Sequence, residues 1–214
     1  MAGHLVILVG PAGAGKTTLA HRVIALQPDR RGFSVSHTTR PMRANEAHGV
    51  DYFFVDAATF LALRDAGGLA ESAQVHGNWY GTSRAEIARL TKHGGDVLFD
   101  IDIQGAHNLW RAYPNNTLLV FVLPPSWQVL VQRLRDRGSE TDETLRQRLR
   151  TARQELRSVV DSAAPWQVVV NARLDQAVAD LQALMTHARE VRPAREHPLV
   201  HAFLRDAEAD LLAA

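Results

Sequence analysis

The stretch Leu5-Val-Ile-Leu-Val-Gly10-Pro11-Ala12-Gly13-Ala14-Gly15-Lys16-Thr17-Thr18 opens with five apolar residues and passes directly into the pattern GxxxxGK[ST]. A short continuous apolar run closed by glycine reads as a strand covered on both faces. The helical spacing of Leu19, Val23 and Leu26 then predicts a helix over 18–26. Strand, glycine loop and helix in that order are the context in which the pattern has a mechanism. The glycines let backbone N–H groups converge on one concavity at the positive end of the helix, where the β- and γ-phosphates of a nucleoside triphosphate would sit. Lys16 would add a full charge beside the transferred phosphoryl group, and Thr17 a hydroxyl for Mg²⁺. The competing reading is a glycine-rich turn with a solvated lysine. Phosphate loops of this kind use a second, metal-orienting carboxylate on a neighbouring strand. Asp100, ending Val97-Leu-Phe-Asp, supplies one, the alternative being a cap for a helix following Gln104.

Outward from this loop, the runs VLFDI (97–101), LLVFVL (118–123) and VVV (168–170) match the first strand and predict the central strands of a parallel sheet. Shorter strands are expected over 33–36 and 52–55. Helices are expected over 57–65 after Asp56, over 84–93 behind the capping box Ser83–Glu86, after Ser126, in the region of Asp142 and near Asp175. The fold class is therefore α/β: a core over 1–33 and 94–185 with a mostly parallel sheet flanked by helices, and a small mixed α/β lobe inserted over 34–93, whose strands are short and polar. Within the core, about 130–157 is rich in arginine around Gly138 and reads as a helical, cationic lid. Arg146, Arg150, Arg153 and Arg157 also read as a solvated helix face with Glu140, Asp142, Glu143 and Glu155 as partners. Residues 186–214 form a helical extension in which Val200, Phe203, Leu204, Ala207 and Leu211 share a face, expected to pack on the body or on another subunit of a homo-oligomer.

Composition narrows the chemistry. Lys plus Arg number 24 against 23 Asp plus Glu in 214 residues, so global charge argues for neither a nucleic-acid nor a membrane partner, and anion binding must be local. The absence of cysteine excludes disulfides, thiolate metal sites and cysteine nucleophiles. The apolar run at 5–9 is too short for a secretory leader, which predicts a cytoplasmic protein.

The inserted lobe indicates what receives the phosphoryl group. Ser36, Arg40, Arg43 and Tyr52 bring two guanidiniums and two hydroxyls together, and arginine forks match the oxygens of a phosphate dianion. Tyr80 and Thr82 follow in Gly77-Asn-Trp-Tyr-Gly-Thr-Ser-Arg84. Glu71 and Asp102 are poor company for a phosphate and read better as base-recognising groups. Guanine presents N1–H and an exocyclic amine as donors beside an acceptor, which two carboxylates and a hydroxyl complement, whereas adenine would leave carboxylate acceptors unpaired. The plainer alternative makes Glu71 a solvated charge and Asp102 a helix cap.

The strings Ser36-His-Thr-Thr-Arg-Pro-Met-Arg43, Gly49-Val-Asp-Tyr-Phe-Phe-Val55, Gln74-Val-His-Gly-Asn-Trp-Tyr-Gly-Thr-Ser-Arg84, Asp100-Ile-Asp-Ile-Gln-Gly105, Arg133-Leu-Arg-Asp-Arg-Gly138 and Val170-Asn171 resemble guanylate kinases, in order from about Leu5 to Met185. The resemblance implies a P-loop kinase core and phosphorylation of GMP or dGMP by MgATP. It assigns Ser36, Arg40, Arg43, Tyr52 and Tyr80 to the acceptor phosphate, and Glu71, Thr82 and Asp102 to guanine. It assigns Arg133, Arg137 and Arg148 to the lid, Asn171 to the neighbourhood of adenine, and Asp100 to the metal or its water. Gly10 to Thr18 would hold the ATP phosphates. Two other readings share these motifs: a non-catalytic guanylate-kinase-like binding module, and a P-loop kinase of another small phosphorylated acceptor.

Overall fold

The structure is a computed structural model that describes residues 3–75, 77–92, 94–136, 142–186 and 193–212. Its larger sheet has five parallel strands, β1 (Leu5–Val9), β2 (Arg31–Phe33), β7 (Asp96–Asp100), β8 (Thr117–Leu123) and β9 (Gln167–Val170), in the order β2-β7-β1-β8-β9. The four apolar runs are its central and far strands. Their side chains alternate between two cores: Leu5, Ile7 and Val9 face one side, Val6 and Leu8 the other. On the second side lie α1 (Lys16–Ala25) and α7 (Leu174–Met185), with Leu19, Val23 and Leu181 buried. On the first lie α4 (Ile103–Ala112), α5 (Trp127–Asp136), α6 (Asp142–Val160) and α8 (Pro198–Leu212).

The smaller sheet has the order β4-β3-β6-β5, from β3 (His37–Thr38), β4 (Phe53–Phe54), β5 (Leu69–Val75) and β6 (Asn78–Ser83). Helix α2 (Ala57–Asp65) starts behind Asp56, which accepts the Thr59 N–H at 2.7 Å. Helix α3 (Arg84–Thr91) starts behind Ser83, which accepts that of Glu86.

Several elements differ from expectation. The strand read over 33–36 is divided, because the chain crosses there between sheets: Ser34 still donates to Leu98 in the large sheet, while Ser36 already accepts from Phe53 in the small one. The hairpin β5–β6 carries no continuous apolar run. Its inward positions are Leu69, Glu71 and Ala73, and the buried glutamate interrupts the alternation that marks a strand. Helix α1 starts at Lys16 and ends at Ala25, leaving Leu26 as an exposed C-cap rather than part of the buried face. Asp102, not Asp100, caps α4, accepting the Gly105 N–H at 2.7 Å.

The terminal helix packs on the body. Val200, Phe203 and Ala207 are buried against the core that holds Trp127, Leu156 and Trp166. Trp127 donates to Asp210 at 3.0 Å, and Arg157 pairs with Glu208, so α8 ties α5 to α6. Among the described residues no helix is long and apolar enough to cross a membrane.

Candidate active site

Between β1 and α1 the chain turns on three glycines with positive φ, Gly10 (143°), Gly13 (90°) and Gly15 (87°). Gly15 admits no side chain, since a Cβ would stand 2.4 Å from Asn171 Nδ2. The first-turn N–H groups of α1 lack intrahelical partners and open toward any bound anion. Lys16 Nζ donates to the Gly10 carbonyl at 2.7 Å and stands 3.7 Å from Asp100 Oδ1. Thr17 donates its hydroxyl to Asp100 Oδ2 at 2.6 Å. The register that sets Leu8 beside Asp100 is what brings the carboxylate to the loop. Pro11 and Ala14 are buried, and Thr18 is exposed on the first turn.

Asn171 and Arg133 brace this loop through its carbonyls. Asn171 is buried and donates its side-chain amide to Ala14 O at 2.8 Å. Arg133, from α5, donates to Asn171 O at 3.0 Å and Gly13 O at 3.4 Å. Asn171, expected beside adenine, thus holds the Ala14 carbonyl of the loop, and Arg133, expected on the lid, holds the carbonyls of Asn171 and Gly13. Arg137 lies outside the described residues. Arg148, on α6, lines the cavity.

The lobe presents the second half of the site. Ser36 is buried, and the Tyr52 and Tyr80 rings meet edge to face at 6.0 Å. Burial pushes the Tyr52 phenol above its usual range, keeping it protonated as a donor. Arg40 lies over the Tyr52 ring at 5.4 Å, and Arg43 stands more openly at the cavity wall. Glu71 faces Thr82 across the β5–β6 ladder. Burial pushes its carboxyl up to about 7; the Asp102 charge adds to the rise and neighbouring Thr82 opposes it. The buried Thr82 hydroxyl neighbours that carboxyl but closes no well-aligned hydrogen bond among the described residues. Gly105 makes room for this carboxylate, because a Cβ there would meet Glu71 Oε2 at 2.8 Å.

Loop and lobe open onto one cavity of about 1030 Å³, at the upper end of the range for small-molecule sites. Gly10, Ala12, Lys16 and Asp100 form one wall, and Ser36, Arg43, Tyr52, Glu71, Tyr80 and Asp102 another. Helix α6 covers it with Arg148, Thr151 and Glu155, spaced to share one face. The sequence places Glu155 among the partners of the surface arginines. Instead it turns inward: burial pushes its carboxyl up to about 7, Lys16 opposing and Asp102 and Asp100 adding, and its Oε2 has no hydrogen-bond partner among the described residues. Its spacing from Arg148 was the available signal. Arg146, Arg150 and Arg157 are exposed as expected of a solvated face, and Arg153 is half-buried.

A parallel α/β sheet carrying a phosphate loop, with a second cup of arginine and tyrosine across the same cavity, defines a P-loop fold of the kinase type. The guanylate kinase family model matches residues 2–188. A guanylate kinase of Oleidesulfovibrio alaskensis is 46% identical over 204 residues, covering 95% of this chain and 96% of the relative. One of Anaeromyxobacter dehalogenans is 46% identical over 187 residues, covering 87% and 81%. The crystal structure of guanylate kinase from Anaplasma phagocytophilum has a TM-score of 0.69 and 27% identity, over 91% of this chain and 89% of that one. The chain belongs to the guanylate kinase family.

Proposed function

We propose that the chain transfers the γ-phosphoryl group of ATP to GMP or dGMP, giving ADP and GDP or dGDP, a step of purine nucleotide recycling. The observation that carries this reading is the single cavity with the Lys16 loop on one wall and Arg43, Tyr52, Tyr80 and Glu71 on the other. Such transfer asks for an in-line arrangement, neutralised charge and exclusion of water rather than covalent help. The loop amides and Lys16 receive the triphosphate. Ser36, Arg40, Arg43, Tyr52 and Tyr80 hold the acceptor phosphate, whose attacking oxygen is already anionic and needs no general base. Glu71 and Asp102 accept from the guanine N1–H and amine, with Thr82 O–H offered to the remaining acceptor. Arg148 neutralises charge from the α6 side, while that cover excludes water.

Thr17 and Asp100 are hard oxygen donors 2.6 Å apart and would suit Mg²⁺, a cation that favours oxygen ligands. Bound there, the ion would supply charge neutralisation to the triphosphate. A coupled assay of ADP release with MgATP and a panel of GMP, dGMP, AMP, UMP and phosphosugars tests the reading. Turnover with GMP and dGMP well above the rest is expected. Preference for AMP refutes the base-recognition argument, and no ADP release with any acceptor refutes the enzymatic reading.

A further inference from the structure

Glu46 takes no part in the chemistry above, yet both acceptor-phosphate arginines converge on it. Its Oε1 accepts from Arg40 Nη2 at 2.8 Å and stands 3.8 Å from Arg43 Nη1. Its Oε2 accepts the Arg43 main-chain N–H at 2.9 Å, while its own N–H donates to the Arg43 carbonyl at 3.1 Å, closing the turn from 43 to 46. Arg40 also donates to Pro41 O at 2.8 Å and lies over the rings of Tyr52 and Phe54, at 5.4 and 5.7 Å. The ion pair is sheltered, with only 14% of the Arg40 side chain and 12% of the Glu46 side chain exposed, and Glu46 reaches the cavity wall.

A carboxylate in a cup built for a dianion repels the ligand, so its presence calls for an offsetting gain. The geometry provides one. An unheld arginine side chain gives up considerable rotamer entropy on gripping a phosphate, and fixing it beforehand moves that loss from binding to folding. We propose that Glu46 is a positioning residue for the acceptor phosphate. It holds the Arg40 guanidinium over Tyr52 and Phe54 and fixes the turn that carries Arg43, so that both forks are set before the monophosphate arrives. The inference rests on the reading of the lobe as the GMP site.

The test uses the full chain, with Glu46→Gln and Glu46→Ala beside wild type. It compares KM for GMP, KM for ATP, kcat, and inhibition by guanosine, which keeps the base and ribose but lacks the phosphate. Glu46→Ala is expected to raise the GMP KM about tenfold or more, the scale of freeing one arginine side chain. Glu46→Gln, which retains a neutral acceptor, should raise it less. The ATP KM and the guanosine inhibition constant should stay within about twofold of wild type, against which a tenfold change is decisive. An unchanged or lower GMP KM in either variant overturns the proposal, as does a parallel loss for GMP, guanosine and ATP. If wild type fails to phosphorylate GMP, the kinase reading falls separately. Calorimetric binding of GMP against guanosine then decides the role of Glu46 without turnover: selective weakening of GMP supports it, and equal binding overturns it.

Discussion

Replacing Glu71 by glutamine should make the free protein more stable at alkaline pH while weakening GMP. The carboxyl is buried and pushed from an ordinary 4.5 to about 7. Below pH 4.5 it is protonated whether the chain is folded or not, and contributes nothing to the pH dependence. Between 4.5 and 7 the folded state binds a proton that the unfolded chain has released, so stability falls as pH rises. Above pH 7 the loss is complete, and at 1.36 kcal/mol per pH unit it amounts to about 3 kcal/mol. Glutamine is neutral at every pH and removes that penalty. At this chain length each kcal/mol moves the midpoint by about 2–4 °C, so Glu71→Gln should melt several degrees higher at pH 8 and nearly unchanged at pH 4.5. GMP meets the opposite effect. Glutamine keeps one acceptor but turns an N–H₂ donor against a guanine donor, losing a charge-assisted hydrogen bond and leaving a buried donor unpaired. Together these cost about 3–5 kcal/mol, a hundredfold to a few thousandfold in affinity. Thermal melts at the two pH values and calorimetric titration with GMP and with ATP measure both effects. A lower melting point at pH 8, or equal losses for GMP and ATP, would refute the reasoning.

Asp100→Asn retains an acceptor for Thr17 but removes the charge beside Lys16, so kcat should fall by about 10² or more while GMP affinity is kept. Steady-state rates across a Mg²⁺ series, with GMP binding measured separately, check this; a loss of GMP binding as large as the loss of kcat would contradict it. Phe203→Ala empties a position that is 1% exposed and packed edge to face on Trp127, which should cost about 3–5 kcal/mol if α8 is integral to the core. Denaturant unfolding reads it directly, and a loss below about 1 kcal/mol, as for an ordinary surface change, would show that α8 is peripheral.

Much of this architecture is legible along the chain because its signals are local. Five consecutive apolar residues at 5–9 and the glycines that follow define strand and loop without reference to any distant segment. Asp56 and Ser83 announce α2 and α3 by capping chemistry within four residues. The β5–β6 hairpin escapes such reading because Glu71, which lines the cavity, occupies an inward position where packing alone would ask for an apolar residue. Glu46 escapes it too: its importance lies in meeting Arg40 and Arg43 around a turn, and no motif marks it.

The chain's linear order thus contains the phosphate loop, the parallel core and the residue types suited to a guanine monophosphate. What it leaves open is how each polar group is used. Asn171 and Arg133 brace the loop's carbonyls, Asp102 both caps a helix and lines the cavity, and Glu155 turns from the surface into the cavity that Lys16 also lines. These assignments depend on contacts between residues tens of positions apart. Hydrophobic period and turn chemistry act over a few residues, whereas the partner of a buried charge is set only when whole elements pack together.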